Sequence, residues 1–142
     1  MIKVIEISKA DVKTKRELPL FLSKIRAGFP SPADDYLDKK LDLNEHLIKH
    51  PAATFFVKVK GDSMIKAGIH SGDILIVDRS LEPKDNKIVI AILNGEFTVK
   101  RVCKMKDKLY LVSENDDYVP IEIKDGADFE IWGVVVHVIH SV

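Results

Sequence analysis

A chain of 142 residues has room for one globular domain with a short appendage, and none for a second sizeable core. Hydrophobic residues at 46% and charged residues at 31% exclude a wholly disordered chain and stay well short of a membrane span. Lys plus Arg number 22 and Asp plus Glu number 22, so no global basic field exists to hold nucleic acid nonspecifically. The single cysteine, Cys103, cannot close an internal disulfide, and residues 1–30 hold no apolar run of the signal-peptide kind. The expected location is therefore the reducing cytoplasm, with no membrane partner.

Residues 1–27 carry seven cations and three acids, a net of +4, which leaves −4 on the remainder. Beyond the short apolar run Leu18 to Leu22 they show no sustained helical period, so they are expected to form an extended, mobile arm on a domain spanning 28–142. Ala27-Gly28-Phe29-Pro30-Ser31-Pro32 follows, where glycine frees the backbone and two prolines hold their predecessors extended. Such a stretch is accessible to an active site. Ser31 before Pro32, with Asp34 and Asp35 in the next turn, predicts a helix start. Tyr36, Leu37, Leu41, Leu47 and Ile48 continue at roughly helical spacing to Pro51, with a break near Asp42-Leu43-Asn44, so one short helix or two are expected.

From Thr54 the pattern changes to β-branched runs bounded by turn residues: Phe55–Lys60, Ile74–Val77, Lys87–Leu93, Phe97–Val102, Leu109–Val112, Val119–Ile123 and Phe129–Ile139. Asn94-Gly95 between two of them predicts a tight hairpin that pairs the strand of Val89 with the strand of Lys100. The fold class is mostly β, compact, with one short helical segment.

Gly61-Asp62-Ser63-Met64 places a serine where a strand passes into a turn, a geometry that exposes a hydroxyl beside free backbone N–H groups. Alone, Gly-Asp-Ser is as consistent with an ordinary turn. A nucleophilic serine needs a base, and His46, His50, His70, His137 and His140 are candidates for a triad. His46 and His50, spaced i, i+4, also mimic a metal pair, but no third ligand stands at a persuasive spacing, so no metal and no cofactor is expected. Alternation puts Thr98, Lys100 and Val102 on one strand face and Val99 and Arg101 on the other, so only one of the two cations points inward. Holding an ordinary lysine neutral at pH 7 costs about 4.6 kcal/mol, a shift that apolar burial can supply. A buried Lys100 would then be a usable base; a solvent-facing one would be a plain strand residue. Asp62 is expected to form the turn, Cys103 to pack, and Phe129 and Trp132 to serve a core or a dimer surface.

Phe29-Pro30-Ser31-Pro32-Ala33, Asp42-Leu43-Asn44, His50-Pro51, Phe56-Val57-Lys58, Gly61-Asp62-Ser63-Met64, Ser71 to Asp78, Gly95 to Lys100 and Gly133-Val134-Val135, in this order and spacing, resemble the LexA/UmuD family of self-cleaving Ser-Lys peptidases. The resemblance runs from about residue 24 to the last strand. It implies a peptidase domain of curved antiparallel sheets, with Ser63 as nucleophile, Lys100 as general base and the backbone N–H groups of Ser63 and Met64 holding the oxyanion. The cut would fall at Ala27-Gly28, since family members cleave Ala-Gly or Cys-Gly bonds. It further implies an SOS mutagenesis protein: a homodimer, stimulated by a RecA-ssDNA filament, whose trimmed form serves an error-prone Y-family polymerase subunit of UmuC type. Direct sequence-specific DNA binding is not expected, because only about 27 mostly polar residues precede the bond. Two other classes fit the residues alone: a non-catalytic dimeric module regulating a polymerase, and a processing enzyme akin to signal peptidases, whose serine motif Gly61-Asp62-Ser63-Met64 also resembles.

Overall fold

The computed structural model describes residues 2–15, 17–21 and 37–142. The expected cleavage bond, Ala27-Gly28, and the expected helix start at Ser31 lie outside the described residues. In chain order the elements are β1 (Lys3–Lys9), β2 (Glu17–Phe21), β3 (Leu37–Asp42), α1 (Leu43–Leu47), β4 (Thr54–Lys60), β5 (Ile74–Asp78), β6 (Ile88–Leu93), β7 (Glu96–Met105), β8 (Lys108–Val112), β9 (Ile121–Ile123) and β10 (Phe129–Ile139). They divide into two units, one of Met1–Ala10 with Ala52–Val142, the other of Asp11–Pro51.

In the larger unit the β-branched runs pair antiparallel throughout, in the order β1-β4-β5-β10-β6-β7-β8-β9. The predicted hairpin is present: Val89 stands opposite Lys100, and Asn94 (φ 51°) and Gly95 (φ 79°) both take the left-handed conformation that a two-residue turn of this kind demands. The sheet curls so that two groups of aliphatics leave water. One gathers Ile2, Val57, Val59, Met64, Leu75, Val77, Ile90 and Val99; the other holds Val89, Ala91, Val102, Leu111 and Val134. Successive residues of β6 serve different groups, Val89 and Ala91 the second and Ile90 the first, so β6 is buried on both faces.

β10 makes the curl possible by shifting register twice, between Ile131 and Gly133 against β6 and between Val135 and His137 against β5. The first irregularity turns Trp132 toward Phe55 and Phe97, with ring centroids at 5.2 and 5.9 Å, while the Arg79 guanidinium lies 4.5 Å over its indole. Trp132 is thus a packing residue. Gly133 is required by close approach, since a Cβ there would stand 2.6 Å from the Val77 side chain and 3.3 Å from that of Arg79. Gly133→Ala is expected to destabilise the fold by about 1–3 kcal/mol through overpacking, read as a lower urea midpoint at unchanged slope.

Two sequence expectations change. Leu37–Asp42 is a strand, paired with Glu17–Phe21, where helical spacing had predicted helix. The helix begins only at Leu43, because Asp42 keeps an extended backbone (φ −97°, ψ 119°) and its carboxylate accepts the Glu45 N–H at 3.0 Å. A capping aspartate and a paired strand before it outweigh leucine spacing. Secondly, Lys3–Lys9, expected within a mobile arm, is a strand laid antiparallel along β4, from Lys3 opposite Lys60 to Lys9 opposite Phe55.

Candidate active site

β4 ends at Lys60, and the chain turns through Gly61-Asp62-Ser63-Met64 into a single 3-10 turn, Ile65–Ala67. Met64 is wholly buried in the first aliphatic group and drags the turn inward, so Ser63 has no exposed surface. The turn is tied down from outside. Asp62 accepts the Tyr118 hydroxyl at 2.8 Å on its carboxylate and the Asn115 amide at 2.9 Å on its carbonyl. The Lys66 N–H reaches the Glu114 carbonyl at 2.9 Å, the Glu114 N–H reaches Met64 Sδ at 3.4 Å, and Arg101 pairs with the Glu114 carboxylate. Asp62 therefore holds the turn, as expected, and its bond to Tyr118 pushes that phenol's pKa up. Among the described residues no carbonyl takes the N–H of Ser63 or of Met64. Among the described residues, two backbone donors thus have no acceptor beside the hydroxyl.

Lys100 lies in mid-β7. Of the two adjacent cations it is the one turned inward: it is 1% exposed, Thr98 and Val102 on the same face are buried, and Arg101 is partly exposed. Its ammonium nitrogen donates to Thr98 Oγ1 at 2.8 Å and to the Val99 carbonyl at 3.2 Å. No carboxylate among the described residues pairs with it. Burial without counter-charge lowers its pKa from 10.5 to about 8. At neutral pH about one molecule in ten then carries a neutral amine there, against fewer than one in a thousand for an ordinary lysine.

Ser63 and Lys100 belong to one unit and both are stripped of water, but no hydrogen bond joins them. Ser63 Oγ instead accepts the backbone N–H of Ile2, at 3.0 Å. Neither Ile2 nor Thr98 was named as a site residue from sequence. Strand alternation did place Thr98 on the Lys100 face, whereas nothing local in Met1-Ile2-Lys3 signals a contact 61 residues away.

Among the described residues no histidine hydrogen-bonds to Ser63 or Lys100. His46, in the last turn of α1, is solvent-exposed. His140, exposed just past the end of β10, has its Nδ1 2.6 Å from Asp73 Oδ1, while the His70 backbone N–H donates to Asp73 Oδ2 at 2.8 Å. Burial pushes the Asp73 carboxyl up, but these bonds and the two rings outweigh it, and the net shift is downward. His70, Asp73 and His140 are close enough to suggest a metal, with candidate ligand atoms within 4.8 Å of one another. Both carboxylate oxygens are already bonded, however, and the two imidazoles lie with centroids 4.5 Å apart, tilted by 33°. Asp73 thereby clamps the 70–73 turn to His140 at the end of β10, while His70 Nδ1 is buried with no hydrogen-bond partner among the described residues. Cys103 is half-buried, its thiol donates to Asn86 Oδ1 at 3.8 Å, and burial raises the thiol pKa.

A curled antiparallel sheet with a buried serine after one strand and a buried, uncompensated lysine within another has the makings of a β-rich serine peptidase. Residues 19–136 match the family described as Peptidase S24-like, and the chain belongs to that family, within the LexA/UmuD group. It is 46% identical over 123 residues to Protein ImpA of Salmonella typhimurium, covering 86% of this chain and 83% of that protein. It is 47% identical over 123 residues to Protein SamA of Salmonella typhimurium strain LT2, covering 87% and 85%. To the LexA repressor of Shewanella denitrificans it is 36% identical over 119 residues, 84% of this chain but 57% of the repressor. Among the described residues no helix is long and apolar enough to cross a membrane.

Proposed function

We propose that the chain is a self-cleaving serine peptidase of the SOS response that cuts its own Ala27-Gly28 bond with Ser63 as nucleophile and Lys100 as general base. The observation that carries this reading is Lys100, a fully buried lysine with no acidic partner among the described residues and a pKa near 8, in a chain of a serine peptidase family. Structural lysines are held at the surface or paired, whereas a base must shed its proton near working pH. In the neutral form Lys100 takes the Ser63 proton as Oγ adds to the Ala27 carbonyl, and the N–H groups of Ser63 and Met64 receive the developing oxyanion. Lys100 returns that proton to the departing Gly28 amine. Water, deprotonated by Lys100, then adds to the Ala27 acyl carbon, and Lys100 passes that proton to the departing Ser63 Oγ, freeing the Ala27 carboxyl group.

Tethering makes one slow turnover per chain sufficient, because the substrate segment is present at high effective concentration. In this reading a RecA-ssDNA filament speeds the cut, the protein is a cytoplasmic homodimer, and the trimmed 28–142 dimer serves a Y-family polymerase subunit of UmuC type. Loss of residues 1–27 removes a net +4, which changes the charge that partners meet. A second reading, a dimeric interaction module without peptidase activity, is favoured by the missing bond between Ser63 and Lys100 and by the two acceptors already holding the Lys100 amine.

Incubating the purified chain at pH 9–10 and weighing the products separates the two. The peptidase reading expects fragments 1–27 and 28–142 within hours to days. An intact chain after days supports the module, and a break elsewhere refutes Ala27-Gly28 as the target.

A further inference from the structure

The edge of β4 that leads to Ser63 is already occupied. β4 has β5 on one side, so the only ladder it can offer to an incoming strand is the one that β1 fills. Pairing is antiparallel, so β1 starts beside the nucleophile and runs away from it as β4 approaches, and Val4 opposite Val59 and Lys3 opposite Lys60 bring Ile2 to Ser63. Ile2 is wholly buried among Met64, Val59 and Val99, and its N–H donates to Ser63 Oγ at 3.0 Å. Peptidases of extended substrates bind them by strand addition, with backbone bonds for affinity and alternate side chains for selection. β1 follows that pattern on each side of its register shift: Ile2 is buried and Val4 packs against the same group while Lys3 and Ile5 face solvent, and beyond the shift Ile7 packs while Glu6, Ser8 and Lys9 face solvent.

We propose that β1 is a resident, uncleavable occupant of the strand-docking groove of Ser63, and that the segment to be cut must displace it. This rests on the peptidase reading of Ser63 and Lys100. The resident strand offers the nucleophile the wrong atom. An amide nitrogen at hydrogen-bond distance consumes an Oγ lone pair and cannot be attacked, whereas a substrate must place a carbonyl carbon there with its oxygen toward the N–H groups of Ser63 and Met64. Among the described residues the occupant is an edge strand held by its ladder, the Ile2 bond to Ser63 and aliphatic contacts, and the ladder breaks register between Val4 and Glu6, so it can leave without the rest of the sheet opening. Self-cleavage then proceeds at a rate set by the fraction of time β1 is away, and whatever captures β1 accelerates it.

Ser8 and Phe56 face one another across the ladder, within the reach of a disulfide. In a full chain carrying Ser8→Cys, Phe56→Cys and Cys103→Ser, oxidation is expected to slow self-cleavage at pH 9 at least tenfold, and reduction to restore it. Equal rates in the oxidised and reduced chains would overturn the proposal. A second measurement is independent of the chemistry: in Ser63→Cys with Cys103→Ser, adding Val4→Glu to expel the strand is expected to raise the alkylation rate of Cys by iodoacetamide at least tenfold. Unchanged alkylation overturns the occupancy. Should the reduced chain fail to cut at all while alkylation rises as expected, the peptidase reading falls and the occupied groove stands.

Discussion

Lys100→Met is expected to yield a chain that no longer cuts itself and is nevertheless more stable than the parent, by about 2 kcal/mol at pH 7. The reasoning is linkage. In the unfolded chain the amine titrates near 10.5 and in the fold near 8, so at neutral pH folding must bury an ammonium that water would rather keep. That difference amounts to about 3 kcal/mol. Losing the bonds to Thr98 Oγ1 and the Val99 carbonyl returns about 1 kcal/mol of it. Between pH 8 and 10.5 the unfolded chain binds the proton and the folded one does not, so parental stability rises with pH across that window and the variant's advantage shrinks. Urea titrations of both chains at pH 7 and pH 10 measure this; a variant less stable than the parent at pH 7 would mean that Lys100 is a structural residue. A base held against its own solvation is the kind of strain an active site carries and a docking surface does not need.

Ser63→Ala is expected to lower self-cleavage at least about 10³-fold, because no other group at the end of β4 can form the acyl intermediate. The same substitution removes the acceptor of the buried Ile2 N–H and should cost about 1–2 kcal/mol of stability, opposite in sign to the lysine variant. The two variants therefore lose the same activity while moving stability in opposite directions, which no global unfolding effect can mimic. Fragment masses at pH 9 and urea midpoints together check it, and persistence of the 28–142 fragment in Ser63→Ala would assign the cut to another agent.

Much of the sheet is legible in the chain because its signals are local. β-branched runs between turn residues mark β4 to β8 and β10, the last from Phe129 to Ile139, and Asn94-Gly95 fixes the register that sets Lys100 opposite Val89. The choice between Lys100 and Arg101 is not local. Alternation allows either, and only burial of Val89, Ala91 and Val102 in one aliphatic group decides it. β1 is hidden for a related reason: Lys3-Val4-Ile5-Glu6-Ile7-Ser8-Lys9 has charge at both ends, and its partner lies some fifty residues on. The leucines at 37 and 41 match a helical spacing, yet pairing with β2 satisfies the backbone there and the Asp42 cap delays the helix. The struts of the serine turn, Asn115 and Tyr118, come from a polar loop whose composition announces only a loop.

The account turns on an amine that loses its proton near pH 8 and then takes one from a hydroxyl. First-order rates of self-cleavage of the full chain, measured from pH 6 to pH 10, test this most directly. The logarithm of the rate should climb by about one per pH unit and level off above a midpoint near 8. A rate that is flat or falls as pH rises over the same range would contradict a lysine base at this site.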